Sequence, residues 1–285
     1  MPPDFIDLSG TTDSTIAPSY SEESPANCLA SCIKICSGVQ DTGEAGGNSN
    51  QPRLKFFERA IDARQTIFHG GDRIEGIPVI CSGWAAIVSI LPNSRRQIVA
   101  LRLPGDLVSG SLVFEDKLDV SVEAITNVTY RSFDRAEFRT ALSNNSCFLE
   151  SILKIWNEQS SQFKQLIASL GQSTAEQRVA ALLVKLLERL TSLGLVTNHS
   201  FNFPLRQSHI AEITGLTPVH INRVINSLRR DGLIDLSNRT LTVLDPERLR
   251  LICNRKSANV GTRAQQSVFK AQETRQTYRQ VYGSR

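Results

Sequence analysis

The spacing of apolar residues changes period once along this chain, and that change constrains the fold more than any other feature. From about Arg64 to Phe133 the apolar residues fall in short β-branched runs: Gln65–Phe68, Ile77–Cys81, Trp84–Leu91, Gln97–Leu103, Val120–Ile125 and Val128–Phe133. Turn residues at Gly70-Gly71-Asp72, Pro92-Asn93-Ser94 and Pro104-Gly105-Asp106 divide them, which predicts a small antiparallel barrel or roll. From Leu149 the apolar step becomes 3, 4, 3, 4, 3, 4 through Ile152, Trp156, Gln159, Phe163, Leu166 and Leu170. This is a heptad seam of about 22 residues, roughly 33 Å at 1.5 Å per residue, longer than packing within one subunit requires. It predicts a dimerisation helix over residues 147–171, with Gln159 selecting the register. Gly171 ends that helix, and Ser173-Thr-Ala-Glu176 reads as a capping box opening another. There Val179, Leu182, Leu183, Leu186, Leu187 and Leu190 form one buried face before Gly194 stops the helix.

Two short helical patterns follow, Gln207–Ile213 and Thr217–Arg230, separated by Thr214-Gly215-Leu216. The spacing is that of a helix-turn-helix. Gly215 tolerates the positive φ of the bend, Thr217 can cap the second helix, and Pro218 at its first position loses no needed hydrogen bond. Ile221, Val224, Ile225 and Leu228 recur at core spacing, which leaves Val219, Asn222, Arg223 and Asn226 on the opposite face. Arg can bond bidentately to guanine, Asn to adenine, and Val can touch a thymine methyl. The run from Gly232 to Val243 reads as a hairpin with Ser237-Asn238-Arg239 at its tip, a wing that offers Arg239 to a backbone phosphate.

Charge supports a polyanionic partner. Residues 1–52 hold seven acids against one base, Lys34, so of a net charge of +4 this arm carries −6 and the remainder +10. From Arg255 to Arg285, seven Lys/Arg face one acid, Glu273. The Ser/Thr/Gly/Pro-rich composition of 1–52 predicts a flexible acidic arm, and 253–285 a basic disordered tail. Between them lie a roll (53–146), the dimer helix (147–171) and a winged helix-turn-helix (172–252). The N-terminus lacks the features of a secretory signal, Pro78, Ser82-Gly83 and Pro92-Asn93 divide the longest charge-free stretch, and a cytoplasmic, non-membrane protein is expected. No nucleophile and base pair, glycine-rich phosphate loop or metal-hydrolase spacing is present, so an enzyme is not expected.

The order of roll, long helix and winged helix-turn-helix, with Arg102-Leu-Pro-Gly-Asp-Leu-Val and Gly215-Leu-Thr-Pro-Val-His-Ile-Asn-Arg-Val, resembles the Crp/Fnr superfamily of bacterial transcription regulators over about Arg64 to Leu251. The resemblance implies an α+β fold with an N-terminal cyclic-nucleotide-binding-like β-roll. It also implies a homodimer on a two-fold symmetric double-stranded DNA operator, with RNA polymerase as a partner. By that resemblance base reading falls to Pro218, Val219 and Arg223 and backbone contact to Gln207, Ser208, Thr217 and His220, to which the exposed helix face adds Asn222 and the hairpin tip Arg239. The acidic residue with which many members accept from cytosine is replaced by Val219.

Cyclic-nucleotide-binding members carry a Gly-Glu pair and an Arg-Ser pair after the Gly-Asp turn. Here no arginine occurs between Arg102 and Arg131, and four acids stand against one lysine from Glu115 to Glu123, so cyclic AMP is not expected to bind. Cys28, Cys32 and Cys36 recur every fourth residue and would share one stripe of a short helix. An oxygen or redox sensor of the same family is the alternative, with these three thiolates and Cys81 as a fourth ligand holding a 4Fe-4S cluster. The cysteine spacing departs from that branch, and free thiols are the expectation. The alternative from another class is a β-roll module that docks a protein rather than DNA.

Overall fold

The computed structural model describes residues 54–92 and 95–254. Seven strands, β1 (Phe56–Ile61), β2 (Thr66–Phe68), β3 (Ile77–Ser82), β4 (Ala85–Ile90), β5 (Arg96–Arg102), β6 (Ser121–Ala124) and β7 (Val128–Phe133), form the N-terminal unit. They make two antiparallel sheets, β1-β7-β3 and β2-β6-β4-β5. β3 explains why the period-two signal fades inside the roll. Successive strand residues point to opposite faces, yet Ile77, Pro78, Val79 and Ile80 are all buried because both faces are covered. Ile80 joins Ile87, Leu112, Leu118, Val122 and Tyr130 inside the roll, while Val79 packs outward with Phe133, Phe138, Phe148 and Ile152.

β1 precedes the point at which the sequence places the start of the strands. It pairs with β7 from Phe56↔Phe133 to Ile61↔Val128, but two adjacent buried phenylalanines followed by Glu58 and Arg59 leave no alternation to read. After β7 comes α1 (Arg135–Asn144), whose first turn is capped by the Asp134 carboxylate accepting the Glu137 N–H at 2.8 Å. Only Phe138 and Leu142 are buried on it, too few to register as periodic.

α2 (Ser146–Gln172) runs 27 residues and carries through Gly171, one position further than the sequence suggests. Its apolar residues do not form one stripe. Phe148 and Ile152 belong to the roll's outer core, and Gln159 is buried with its amide donating to the Leu107 carbonyl at 2.9 Å. A second set, Leu149, Leu153, Trp156, Phe163 and Ile167, stays exposed and steps by 4, 3, 7 and 4. The heptad seam predicted from the sequence therefore straddled two faces. Gln159 belongs to the roll-facing one, bonded within its own chain. The Trp156 indole lies against the 3₁₀ turn Gly110–Val113, where a β-carbon built on Gly110 would stand 3.4 Å from it.

α3 (Ala175–Ser192) is capped one residue later than expected. Thr174 accepts the Gln177 N–H at 3.3 Å and the Gln177 side chain accepts the Thr174 N–H at 2.8 Å, in place of a Ser173/Glu176 box. Val179, Leu183, Leu186, Leu187 and Leu190 are buried, while Leu182 is half-buried. The rest is β8 (Ser200–Asn202), α4 (Gln207–Thr214), α5 (Pro218–Arg230), β9 (Ile234–Ser237), β10 (Thr240–Val243) and α6 (Pro246–Asn254), with a sheet ordered β8-β10-β9. β8 and α6 are additions to the sequence reading. No helix among the described residues is long and apolar enough to cross a membrane.

Candidate nucleic-acid interface

α4 and α5 meet at a turn built as their residues dictate. α4 ends on Gly215 in the left-handed region (φ 65°, ψ 32°). Thr217 then caps α5, its hydroxyl accepting the His220 N–H at 3.3 Å, and Pro218 occupies the first helical position. Ile221, Ile225 and Leu228 are buried and Val224 half-buried, which turns the other face of α5 to solvent. That face carries Val219, Asn222, Arg223 and Asn226, with the Asn226 amide donating to Asn222 Oδ1 at 2.7 Å. The wing is a hairpin whose turn residues, Asn238 and Arg239, have φ of 48° and 60°, the two positive angles of a type I′ turn.

All nine candidate contact residues, Gln207, Ser208, Thr217, Pro218, Val219, His220, Asn222, Arg223 and Arg239, are exposed. Eight lie in the two-helix segment and Arg239 lies in the wing's turn. At the start of α4 the Arg206 N–H donates to His209 Nδ1 at 3.3 Å, which requires the imidazole proton on Nε2. Burial, with the nearby charges of Arg206 and Arg96, holds the His209 pKa below its ordinary value.

The roll and the helix-turn-helix touch directly, and the residues that join them are the ones sequence reasoning missed. Gln97 of β5 donates its amide to the Glu212 carbonyl and lies 3.3 Å from that of Ile213. Arg96 is bidentate to Glu123 at 2.9 and 2.6 Å, and its Nε lies 3.7 Å from Glu212 Oε2. Among the described residues Glu212 Oε2 is buried with no hydrogen bond, and burial pushes the Glu212 pKa up. A second joint pairs Arg189 of α3 with Asp106 of the Gly105-Asp106 turn. Beside it Arg102 is buried, its Nε donating to the Val108 carbonyl at 3.0 Å. Burial lowers Arg102 to about 10. Burial and the neighbouring Arg102 charge do the same to Arg189. Arg96, Gln97 and Glu123 look like a solvated strand edge in sequence, and their partner Glu212 arrives from a distant helix, so the first joint gave no signal.

In the segment after that turn, Ser109 caps a short 3₁₀ turn (Gly110–Val113). The arginines close to it are engaged by carbonyls. Arg135 donates to those of Leu112, Ile74 and Gly76, and Arg139 to those of Val113 and Phe114. Cys81 is half-buried in β3, its thiol 3.8 Å from the Val79 carbonyl. Cys28, Cys32 and Cys36 lie outside the described residues. Among the described residues no three His, Cys, Asp or Glu side chains are grouped to hold a metal.

Comparison with known proteins places both units. Residues 58–145 match the cyclic nucleotide-binding domain and residues 177–252 the Crp-like helix-turn-helix domain. The transcriptional activator protein FnrL of Cereibacter sphaeroides is 27% identical over 201 residues, covering 69% of this chain and 80% of the relative. The nitrogen fixation regulation protein FixK of Bradyrhizobium diazoefficiens is 29% identical over 224 residues, 79% of this chain and 91% of the relative. Among solved structures, FixK2 of Bradyrhizobium japonicum shares the fold at a TM-score of 0.62 and 22% identity, over 72% of this chain and 99% of that one.

Proposed function

The chain belongs to the Crp/Fnr superfamily of bacterial transcription regulators and is a DNA-binding regulator of that type, and from this premise we propose how it reads DNA. It acts in the cytoplasm as a homodimer joined along the exposed stripe of α2, with one α5 entering the major groove at each half of a two-fold symmetric duplex. The face of α5 opposite its buried stripe carries this reading. Asn222 and Arg223 there have the donors and acceptors that purine edges need, and Val219 is 63% exposed where only an apolar partner such as a thymine methyl rewards it. Gln207, Ser208, Thr217, His220 and Arg239 address phosphates, and Pro218 lies at the groove edge. RNA polymerase is the partner of the bound dimer.

The roll receives the signal and passes it to the readers through α2, as a change between two arrangements of the helix pair. That signal is not cyclic AMP. The alternative signal, oxygen or redox state sensed through Cys28, Cys32 and Cys36 with Cys81, turns on three thiols that lie outside the described residues.

Titration of duplex against salt tests the DNA reading. Neutralising phosphates releases counterions, so log affinity must fall linearly with log salt, with a slope of about −0.9 per phosphate contacted. A duplex affinity that ignores salt, beside tight binding to a protein partner, would favour a protein-docking module.

A further inference from the structure

We infer that Gln97 is a positioning residue for DNA reading: from the roll, it caps the C-terminal end of α4 and so sets the attitude of the reading head. The inference rests on the DNA-binding function proposed above.

A helix leaves its last four carbonyls without intrahelical donors. On α4 these belong to Ala211, Glu212, Ile213 and Thr214. The Ala211 carbonyl receives the N–H groups of Gly215 and Leu216, and that of Thr214 receives Arg178 of α3 at 3.1 Å. The two between them face the roll. Gln97 Nε2 donates to Glu212 O and lies 3.3 Å from Ile213 O, completing the cap from another unit of the fold. Beneath it, Ile213 packs against the cluster of Ala86, Val88 and Ile98. Arg96 and Glu123 flank the same contact, with Glu212 3.7 Å from Arg96.

The capped carbonyls lie immediately before the Thr214-Gly215 turn that leads into α5, so any tilt of α4 on β5 is carried into the reading helix. The contact does not cover the reading face, since all nine candidate DNA contacts remain exposed while it is made. It therefore holds the reader in place without occluding it. Two readers on one symmetric duplex must be presented at a fixed spacing, and a reader loose on its roll forfeits the gain from binding both halves at once.

The test uses the full chain and three duplexes: one recovered from a random library by the wild-type protein, the same with one half-site scrambled, and one fully scrambled. Gln97→Ala is expected to bind the two-half-site duplex about tenfold more weakly, the scale of one lost hydrogen bond in each subunit, with the other two duplexes unchanged. Gln97→Lys, whose ammonium can donate to the same carbonyls, is expected to stay within about threefold of wild type. Gln97→Ala matching wild type on the two-half-site duplex overturns the inference. So does an equal loss on all three duplexes, which would mark a merely structural residue, and so does a Lys variant as weak as the Ala one. A wild-type protein that recovers no preferred duplex overturns the DNA reading itself, whatever the variants do.

Discussion

Arg223 projects from α5 on the side away from Ile221 and Ile225, and among the described residues it makes no bond like those that tie Arg229 to Asp235 or Arg230 to the Asn226 carbonyl. A guanidinium so placed can form two parallel bonds to one guanine. Arg223→Ala is therefore expected to cost about 1 to 3 kcal/mol per half-site in specific binding while leaving non-specific binding largely intact. An operator titration in which the variant equals wild type would remove Arg223 from the reading set. His209 makes a prediction of the opposite kind, about pH. Its Nδ1 accepts the Arg206 N–H, and burial above all, then the charges of Arg206 and Arg96, raise the cost of a second proton while Glu123 offsets part of it. The folded pKa lies below the ordinary 6.5, so the unfolded chain binds the proton first. The contribution of the neutral imidazole is complete above about pH 6.5 and declines as pH falls toward the folded value. Glu212, on the same helix and near the same Arg96, is raised by burial and acts in the other direction. Melting temperatures across that window should fall in wild type and fall less in His209→Gln, whose amide oxygen can still accept the bond. Equal slopes would show that the His209 proton is not coupled to folding.

At the scale of elements, α2 separates what periodicity can reveal from what it cannot. A heptad count finds a long helix, and the helix is there, but the count cannot say which of two adjacent stripes meets the roll. Phe148, Ile152 and Gln159 settle that by packing against residues distant in sequence, such as Leu107. By contrast, Gly215, Thr217 and Pro218 act through local backbone chemistry, and the turn forms as their side chains demand. The candidate contacts were legible for the same reason, since the buried stripe of α5 also dictates its exposed face. The caps supplied by Gln97 and Arg178 were not, because each arrives from another element. The two faces of α2 predict different mutant behaviour. Leu153→Glu places a charge on the exposed stripe against its symmetry mate and should split the dimer while each chain stays folded. Gln159→Ala strips the Leu107 carbonyl of its donor and should lower stability by about 1 to 3 kcal/mol with the dimer intact. Sedimentation and thermal melting distinguish them, and an unchanged dimer in Leu153→Glu would mean that the stripe is not the subunit contact.

For the molecule as a whole, the question is what a roll of this shape leaves for a ligand to hold. Its interior is filled from both sheets by Ile80, Ile87, Val122 and Tyr130, and from the segment after the Gly-Asp turn by Val108, Leu112 and Leu118. A cyclic phosphate needs a cation in reach, preferably a guanidinium with two donors directed at it. Arg102 is turned to the Val108 carbonyl, and Arg131 is bound to Glu58 at 2.9 Å with Phe56 against its guanidinium. Arg135 and Arg139 are spent on five carbonyls between them. Recruiting Arg102 or Arg135 to a phosphate would strip buried and half-buried carbonyls of their donors, a cost of up to about 1 to 3 kcal/mol for each buried one left unpaired. Glu115, Asp116 and Asp119 would add repulsion along the same segment. A ligand bound only by the folded state stabilises it by RT ln(1 + [L]/Kd), about 2.7 kcal/mol at one hundred times Kd, which is several degrees in a domain of this size. Cyclic AMP at millimolar concentration is therefore expected to leave both the melting temperature and the operator affinity where they were. A saturable rise in either at micromolar nucleotide would show that the roll opens a phosphate site that its filled interior and engaged arginines argue against.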